Sequence, residues 1–539
     1  MDPDTRNPPS LVTRYRGYLA QLGPGFLQSA CTIGGGTLGA CLFLGSFAGV
    51  SALWVQPVAM LLGLVVLFMI SAVALSTTEN PFRLINRHVS PVLGWGWLVA
   101  TVAANMVWGL PQYNLGTDAL TRMVAPGLLG DGTTGRVIAT AIMAGCAVAI
   151  TLTQLRGKRG GRLFDRLIQL VVAGIVLCFG LVFCRLLIDG SLSIGTALRG
   201  LVPSPRLLFE PVAGYASMLA QSVDPEFWSQ RITATQRQTA LAAIGAAVGI
   251  NMTFLMPYAL RARGWGRDQR ELARFDLVTG LFLPFVLVSG FIVSAAGATL
   301  YGEKHVDPAL VAWRFIQPTD PPPPGLNSYR GNLEAYAQAD VPTWASANNA
   351  ERAALLDAIP RSERTLAAAT VKHNTSAFAA TLEPLFPGDV GTVIFGIGVF
   401  FIALSTVLVH MLINGYALQA GFGIPRAVGS LLPLVAVVGP FFWGELSAYL
   451  VIPTSVIGLM LLPVALWGFL LLGRQKLMGA DRFGPRMLIV GGGVTVIYTL
   501  LSAWAAYGKV GAWGVWLIAG VGIAALITSP AVIKRRQST

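Results

Sequence analysis

The 539-residue chain is 54% hydrophobic and only 12% charged, with a mean hydropathy of +0.64, whereas a soluble domain carries about 25% charged residues. Its formal charge of +13 comes from 38 Lys and Arg over 25 Asp and Glu, with the basic residues in short connections between apolar runs, which suits anionic lipid better than nucleic acid. Composition excludes a soluble enzyme, a nucleic-acid binder and a single-span receptor.

A helix needs about 20 apolar residues to cross the hydrocarbon, and the runs predict twelve spans in an all-α polytopic membrane protein. Residues 1–15 are polar, and the apolar run that follows is too long for a signal-peptide core, so the first helix is expected to stay in the membrane. The spans fall at 18–47, 53–75, 92–116, 137–155 and 163–188, then at 240–260, 277–300, 391–420, 428–443, 448–472, 487–507 and 513–528. The organisation that follows is an N-terminal tail (1–17), a five-helix repeat (18–188), a linker (189–237), a second five-helix repeat (238–472) interrupted by a loop at 301–389, and two further helices with a basic tail (473–539).

Threading twelve spans puts Arg83 and Arg87, Arg156 to Arg166, Arg261 to Arg274 and Arg474 to Arg486 on one side, which the positive-inside rule makes the cytoplasm, with both termini there. The 301–389 loop carries seven Lys and Arg against ten Asp and Glu and falls outside, as does 189–237. The loop opens on Pro318 to Pro324, continues through an Ala/Glu/Arg-rich stretch at 345–372, and reads as a cap or mobile loop. Asn374-Thr375-Ser376 fits a glycosylation acceptor, a pattern that recurs by chance. The five cysteines (Cys31, Cys41, Cys146, Cys178, Cys184) lie in apolar runs without a CxxC pair, so neither a disulfide framework nor a thiolate zinc site is indicated.

Two spans are interrupted. Gly34-Gly35-Gly36-Thr37 sits in mid-span in the first and Gly249-Ile250-Asn251 in the sixth, at corresponding positions of the two repeats. Single glycines at small-xxx-small spacing serve close helix packing, but three in succession read as a broken helix, and a pair of broken helices in inverted repeats marks a transporter's central site. The predicted substrate-binding set is Gly34, Gly35, Gly36, Thr37, Gly249, Ile250, Asn251 and Met252, with Tyr113, Asn114, Ser405 and Thr406 as accessory residues.

Several segments resemble the Nramp divalent-metal transporters. Gly23-Pro24-Gly25-Phe26-Leu27 is similar to that family's opening of the first helix, and counting on places 34–37 on its Asp-Pro-Gly-Asn signature. Ile244-Gly245-Ala246-Ala247-Val248 is similar to the lead into its Met-Pro-His, which puts Gly249, Ile250 and Asn251 on those positions. Leu462 to Leu466 and Lys476 to Gly479 resemble the tenth span and the loop after it, and Ser405-Thr406 falls near the Ser-rich eighth span. The resemblance implies twelve spans with a 5+5 inverted repeat and secondary transport by alternating access. At the family's ligand positions stand Gly34, Thr37, Gly249 and Asn251, and its acidic third-span positions fall on Leu110 and Tyr113. No carboxylate or imidazole remains there, which leaves backbone carbonyls, the Thr37 hydroxyl, the Asn251 amide and Met252.

Asn105, Gln112, Tyr113, Asn114, His410 and Asn414 should face the protein interior; interhelical hydrogen bonding accounts for most of them, and His410 reads as snorkelling toward the cytoplasmic end of its span. Asp224 and Glu226 read as solvated, and Glu79 as a helix-junction cap. No Walker loop, HExxH or nucleophile and base pattern occurs, so no enzyme and no cofactor are implied. The reading is a multi-pass cell-membrane transporter whose partners are the lipid bilayer and a small solute, first a divalent metal cation; the alternatives are an uncharged or organic solute, or a non-transporting sensor. With the native cysteines replaced, single cysteines at Ser328 and Ser376 are expected to react with an impermeant thiol reagent in intact cells and one at Gln475 is not; the reverse pattern would invert the orientation.

Overall fold

The computed structural model describes residues 11–19, 21–154, 157–373, 375–380, 386, 388–442 and 446–530; Arg156, Asn374 and Trp443, with the stretches 1–10 and 531–539, lie outside the described residues. All regular structure among the described residues is helical. Ten helical stretches are long and apolar enough to cross a membrane, and two shorter apolar ones, Arg426–Phe442 and Ala512–Ile527, occupy the places of the ninth and twelfth expected spans.

Both interruptions are present. The first expected span divides into α1 (Pro24–Thr32) and α2 (Gly35–Ala48), with Gly34 extended at φ −113° and ψ −178°. After α3 (Val55–Ser76), α4 (Pro91–Asp118), α5 (Thr133–Gln154) and α6 (Gly157–Ile188), the sixth span divides into α7 (Pro225–Ala247) and α8 (Ile250–Ala262), with Val248 and Gly249 extended between them. Helix α7 begins inside the stretch expected to be linker. Asp224 caps it by accepting from Phe227 N at 3.0 Å, with Pro225 in the first turn; its charged residues Glu226, Arg231 and Arg237 hide this start from a hydropathy reading.

Helix α9 (Arg267–Leu300) passes through a π-helical turn at Val278–Phe282. Among the short helices that follow are α10 (Leu326–Asp340), α11 (Asn349–Ala358) and α12 (Arg361–Ala369). The chain continues through α13 (Val390–Phe422) to α14 (Arg426–Phe442), whose seven middle residues are 3₁₀. The larger 3₁₀ rise stretches those 17 residues to roughly 29 Å, close to the hydrocarbon thickness. Helices α15 (Leu446–Gly473), α16 (Pro485–Val510) and α17 (Ala512–Ile527) complete the order.

One face of the bundle is tied by basic residues. Arg263 pairs with Asp165 at 2.7 Å, and Arg267 and Arg270 pair with Asp481 at 2.5 and 2.6 Å. Arg261 donates to the carbonyls of Thr77 and Glu79. On the same face the buried Asp276 carboxylate accepts from Gly23 N at 2.8 Å and Gly25 N at 2.5 Å. These bonds satisfy amides at the start of α1 that have no intrahelical acceptor and fix that end of the broken helix.

The opposite face carries the cap, whose described residues between 301 and 373 pack around a second apolar core. Tyr329, Leu333, Tyr336 and Leu366 close on Trp228 and Ile232 of α7. At its centre Glu363, fully buried, accepts from Val223 N at 2.7 Å, from Ser222 Oγ at 3.0 Å and from Trp228 Nε1. Arg364 donates to Tyr329 Oη and to the Trp313 carbonyl. Glu363→Ala removes the acceptor of four donors, the Ser362 hydroxyl included, so it should loosen the cap by about 3 kcal/mol; limited proteolysis is expected to cut 301–389 faster in this variant while the membrane helices stay protected.

Candidate functional site

Where the two breaks face each other, the bundle encloses a cavity of about 50 Å³, room for an ion with a few waters. Its wall brings together Gly34, Gly36, Thr37, Gly249, Asn251, Met252 and Thr406 from the predicted set. Helix ends inside a membrane protein must find partners for their freed backbone groups, and two threonines do this. Thr32 Oγ1 donates to Ala247 O at 2.6 Å, closing the end of α7, and Thr37 Oγ1 donates to Thr32 O at 2.5 Å across the first break. Thr406 Oγ1 donates back to Ile402 O at 2.9 Å within α13. With their protons committed to carbonyls, the Thr37 and Thr406 oxygens offer lone pairs to the cavity, the polarity that suits a cation or a donor group.

Asn251 is held at both ends of its amide. Its Nδ2 donates to Asn105 Oδ1 at 3.1 Å, its Oδ1 accepts from Met252 N at 2.8 Å, and Asn105 donates onward to Asn414 Oδ1 at 2.7 Å. This chain crosses from α8 through α4 to α13, so Asn105 and Asn414 make the interhelical bonds expected of them. Gln28 Nε2 donates to Met252 O at 3.1 Å and holds α1 against α8 on the basic-face side of the cavity. On the other side Gly36 and Ala246 keep partial exposure, while Thr37, Asn251 and Met252 are buried.

Five predicted residues stand off the cavity wall. Gly35 packs behind it, its N–H donating to Gln112 Oε1 at 3.0 Å; Ile250 is buried, and Ser405 Oγ donates to Ile402 O. Tyr113 is buried in α4, and Asn114 belongs to a charged cluster near the end of that helix, donating to Asp118 Oδ2 and accepting from Arg136 Nη2. The largest correction concerns His410. It is 1% exposed, lines the cavity opposite the breaks, and lies 6.4 Å from the Trp108 ring centre to centre; it does not snorkel. Its Nδ1 has no hydrogen-bond partner among the described residues. Cys31, Gln112, Trp108 and Ser455 also line the wall; the predicted set omits these four.

The family profile described as natural resistance-associated macrophage protein-like matches residues 25–319 and 364–508. The chain belongs to the Nramp family. The stretch between the matched parts, 320–363, lies in the cap. The fold is that of a manganese transporter of Eremococcus coleocola in complex with an aromatic bis-isothiourea compound, at 16% identity and TM-score 0.61 over 98% of this chain and 96% of that one. A histidine-to-alanine variant and a glutamate-to-glutamine variant of that transporter superpose with a TM-score of 0.60 at the same identity and coverage. A search of curated proteins returns no match.

Within this Nramp chain the four positions expected to fall on the family's ligands, Gly34, Thr37, Gly249 and Asn251, all line this cavity. Gly34 cannot simply be converted to the family's aspartate, because a Cβ there would stand 2.6 Å from Thr406 Oγ1; its extended φ, by contrast, suits any residue. Thr37→Val keeps the volume and removes the bond to Thr32 O. It should lower thermal stability by about 1 kcal/mol and weaken solute binding, whereas Thr37→Ser should preserve both; equal binding by all three proteins would remove Thr37 from the site.

Proposed function

We propose that this Nramp protein is a secondary transporter that carries a divalent transition-metal cation through the cavity between the broken helices by alternating access. The observation that carries the reading is buried His410 on the wall of a cavity that Met252, Thr37 and Thr406 also line. Imidazole and thioether favour borderline and soft metals over magnesium, so the donor set answers the loss of ligands at 34 and 249 from a different helix. The metal named for the structural neighbour, manganese, is a divalent transition metal at the hard, weakly bound end of the series. The bonds from Asp276 to the start of α1, and the Gln28 bond to α8, hold the basic-face side closed, while Gly36 and Ala246 leave the cap side partly open. Movement of α1 away from Asp276 is the step that would open the other side. The positive-inside rule makes the basic face cytoplasmic.

The second reading keeps the fold and replaces the metal by an uncharged or organic solute. It is favoured by the cavity wall, where no carboxylate stands among the described residues to offset the dehydration of a cation. Uptake into proteoliposomes by a metal-sensitive dye separates the two. The metal reading expects manganese, cobalt or zinc uptake well above magnesium, reduced at least about tenfold by His410→Ala through loss of one ligand. Uptake of no divalent ion by a folded protein would refute the metal reading and leave the organic-solute and sensor readings.

A further inference from the structure

A second, larger cavity of about 1250 Å³ lies between α7 and the cap. Helix α7 lines both cavities, with Gln238 on this one and Gly245 on the central one; seven residues of helix put them about 10 Å apart. Phe47, at the outer end of α2, closes the wall on the other side. The second cavity is therefore a vestibule over the same pair of broken helices.

Its charge is of one sign. Arg231, Arg237 and Lys372 line it together with side-chain amides and hydroxyls, and no acidic residue does among the described residues. The described partners of the two arginines are neutral. Arg231 Nη2 donates to Asn332 Oδ1 at 2.9 Å, and Arg237 stacks its guanidinium 5.5 Å from the centre of the Trp504 ring. Asn332 is itself fixed by donating to the carbonyls of Ala367 and Thr370, so Arg231 is positioned by the cap. Desolvation on the vestibule wall and the like charges of Lys509 and Arg231 lower the Lys372 ammonium from its ordinary range, although part of its surface stays exposed. Planar guanidinium groups are built to bind carboxylate and phosphate oxygens, and like charges gathered on low-dielectric walls concentrate counter-ions between them.

We propose that this vestibule is a binding site for an anion bearing carboxylate or phosphate groups, recognised by Arg231 and Arg237 with Lys372 beside them. The shared chemistry is the anionic oxygen; its source is a small soluble anion or the headgroup of an anionic lipid. The site goes beyond the transport reading and does not rest on it, because anion binding is measured without metal.

The test uses the full chain in nanodiscs of phosphatidylcholine alone, titrated with citrate and with inorganic phosphate at constant ionic strength and followed by calorimetry and thermal unfolding. Saturable binding is expected that weakens roughly tenfold in Arg237→Gln and is retained in Arg237→Lys. Because Arg231→Gln also cuts the cap bond to Asn332, Asn332→Ala is its control and should disturb the cap while keeping a larger share of the affinity. If neither soluble anion binds but phosphatidylglycerol added to the discs stabilises the parent and not Arg237→Gln, the source is lipid and the anion site stands. Binding of equal strength in parent and Arg237→Gln, or no effect of any of the three probes, would overturn it.

Discussion

The constraint on which the structure depends is that a backbone broken inside a membrane must be repaired from within. Two helices stop and restart at the centre of the bundle, where lipid cannot accept their freed carbonyls and partners must come from the protein or from the small cavity between them. Thr32 and Thr37 supply the repair for Ala247 O and Thr32 O, and Asp276 caps the amides at the start of α1. Each repair also serves the site. The threonine that bonds across the first break leaves its oxygen toward the cavity, and the carboxylate that anchors α1 sits where that half-helix would have to detach for the basic face to open.

The paired breaks were legible because their cause is local. Three glycines in an apolar run, and Gly249-Ile250-Asn251 at the matching place, read as interruptions from composition alone, and the structure places them within a residue or two of that reading. That Asn105 and Asn414 would bond between helices was legible for the same reason, since amides in lipid need partners; Asn251, read as a site residue, joins them through Asn105. Distance along the chain was the poorer guide. Helix α13 has 33 residues and is therefore about 50 Å long, well beyond the hydrocarbon thickness of about 30 Å. His410 lies two-thirds of the way along it yet at the depth of the cavity, so counting residues from the span's end assigned the wrong depth. Charge misled at α7 in a similar way, because Arg231 bonds to Asn332 of the cap and Arg237 stacks on Trp504 of α16.

These two misreadings have one consequence for chemistry. The positions expected to match the family's ligands carry no carboxylate, imidazole or thioether, while the cavity they border is also lined by His410 of α13 and by Met252. On the proposed metal reading, the donor would come from a different helix while the breaks keep the location of the site. The cap adds a separate layer: it is folded on its own core against the outer half of α7, so the part of the broken helix that borders the cavity is mechanically continuous with the part that borders the vestibule.

The most direct measurement of the central claim is anomalous diffraction at the manganese or cobalt edge from crystals grown with the metal. The account predicts one strong peak inside the cavity between the two breaks, within ligand distance of a nitrogen of His410 and of the Thr37 or Thr406 oxygen, and its loss in crystals of His410→Ala. A peak on the charged surface with none in the cavity, or an undiminished cavity peak in the variant, would contradict it.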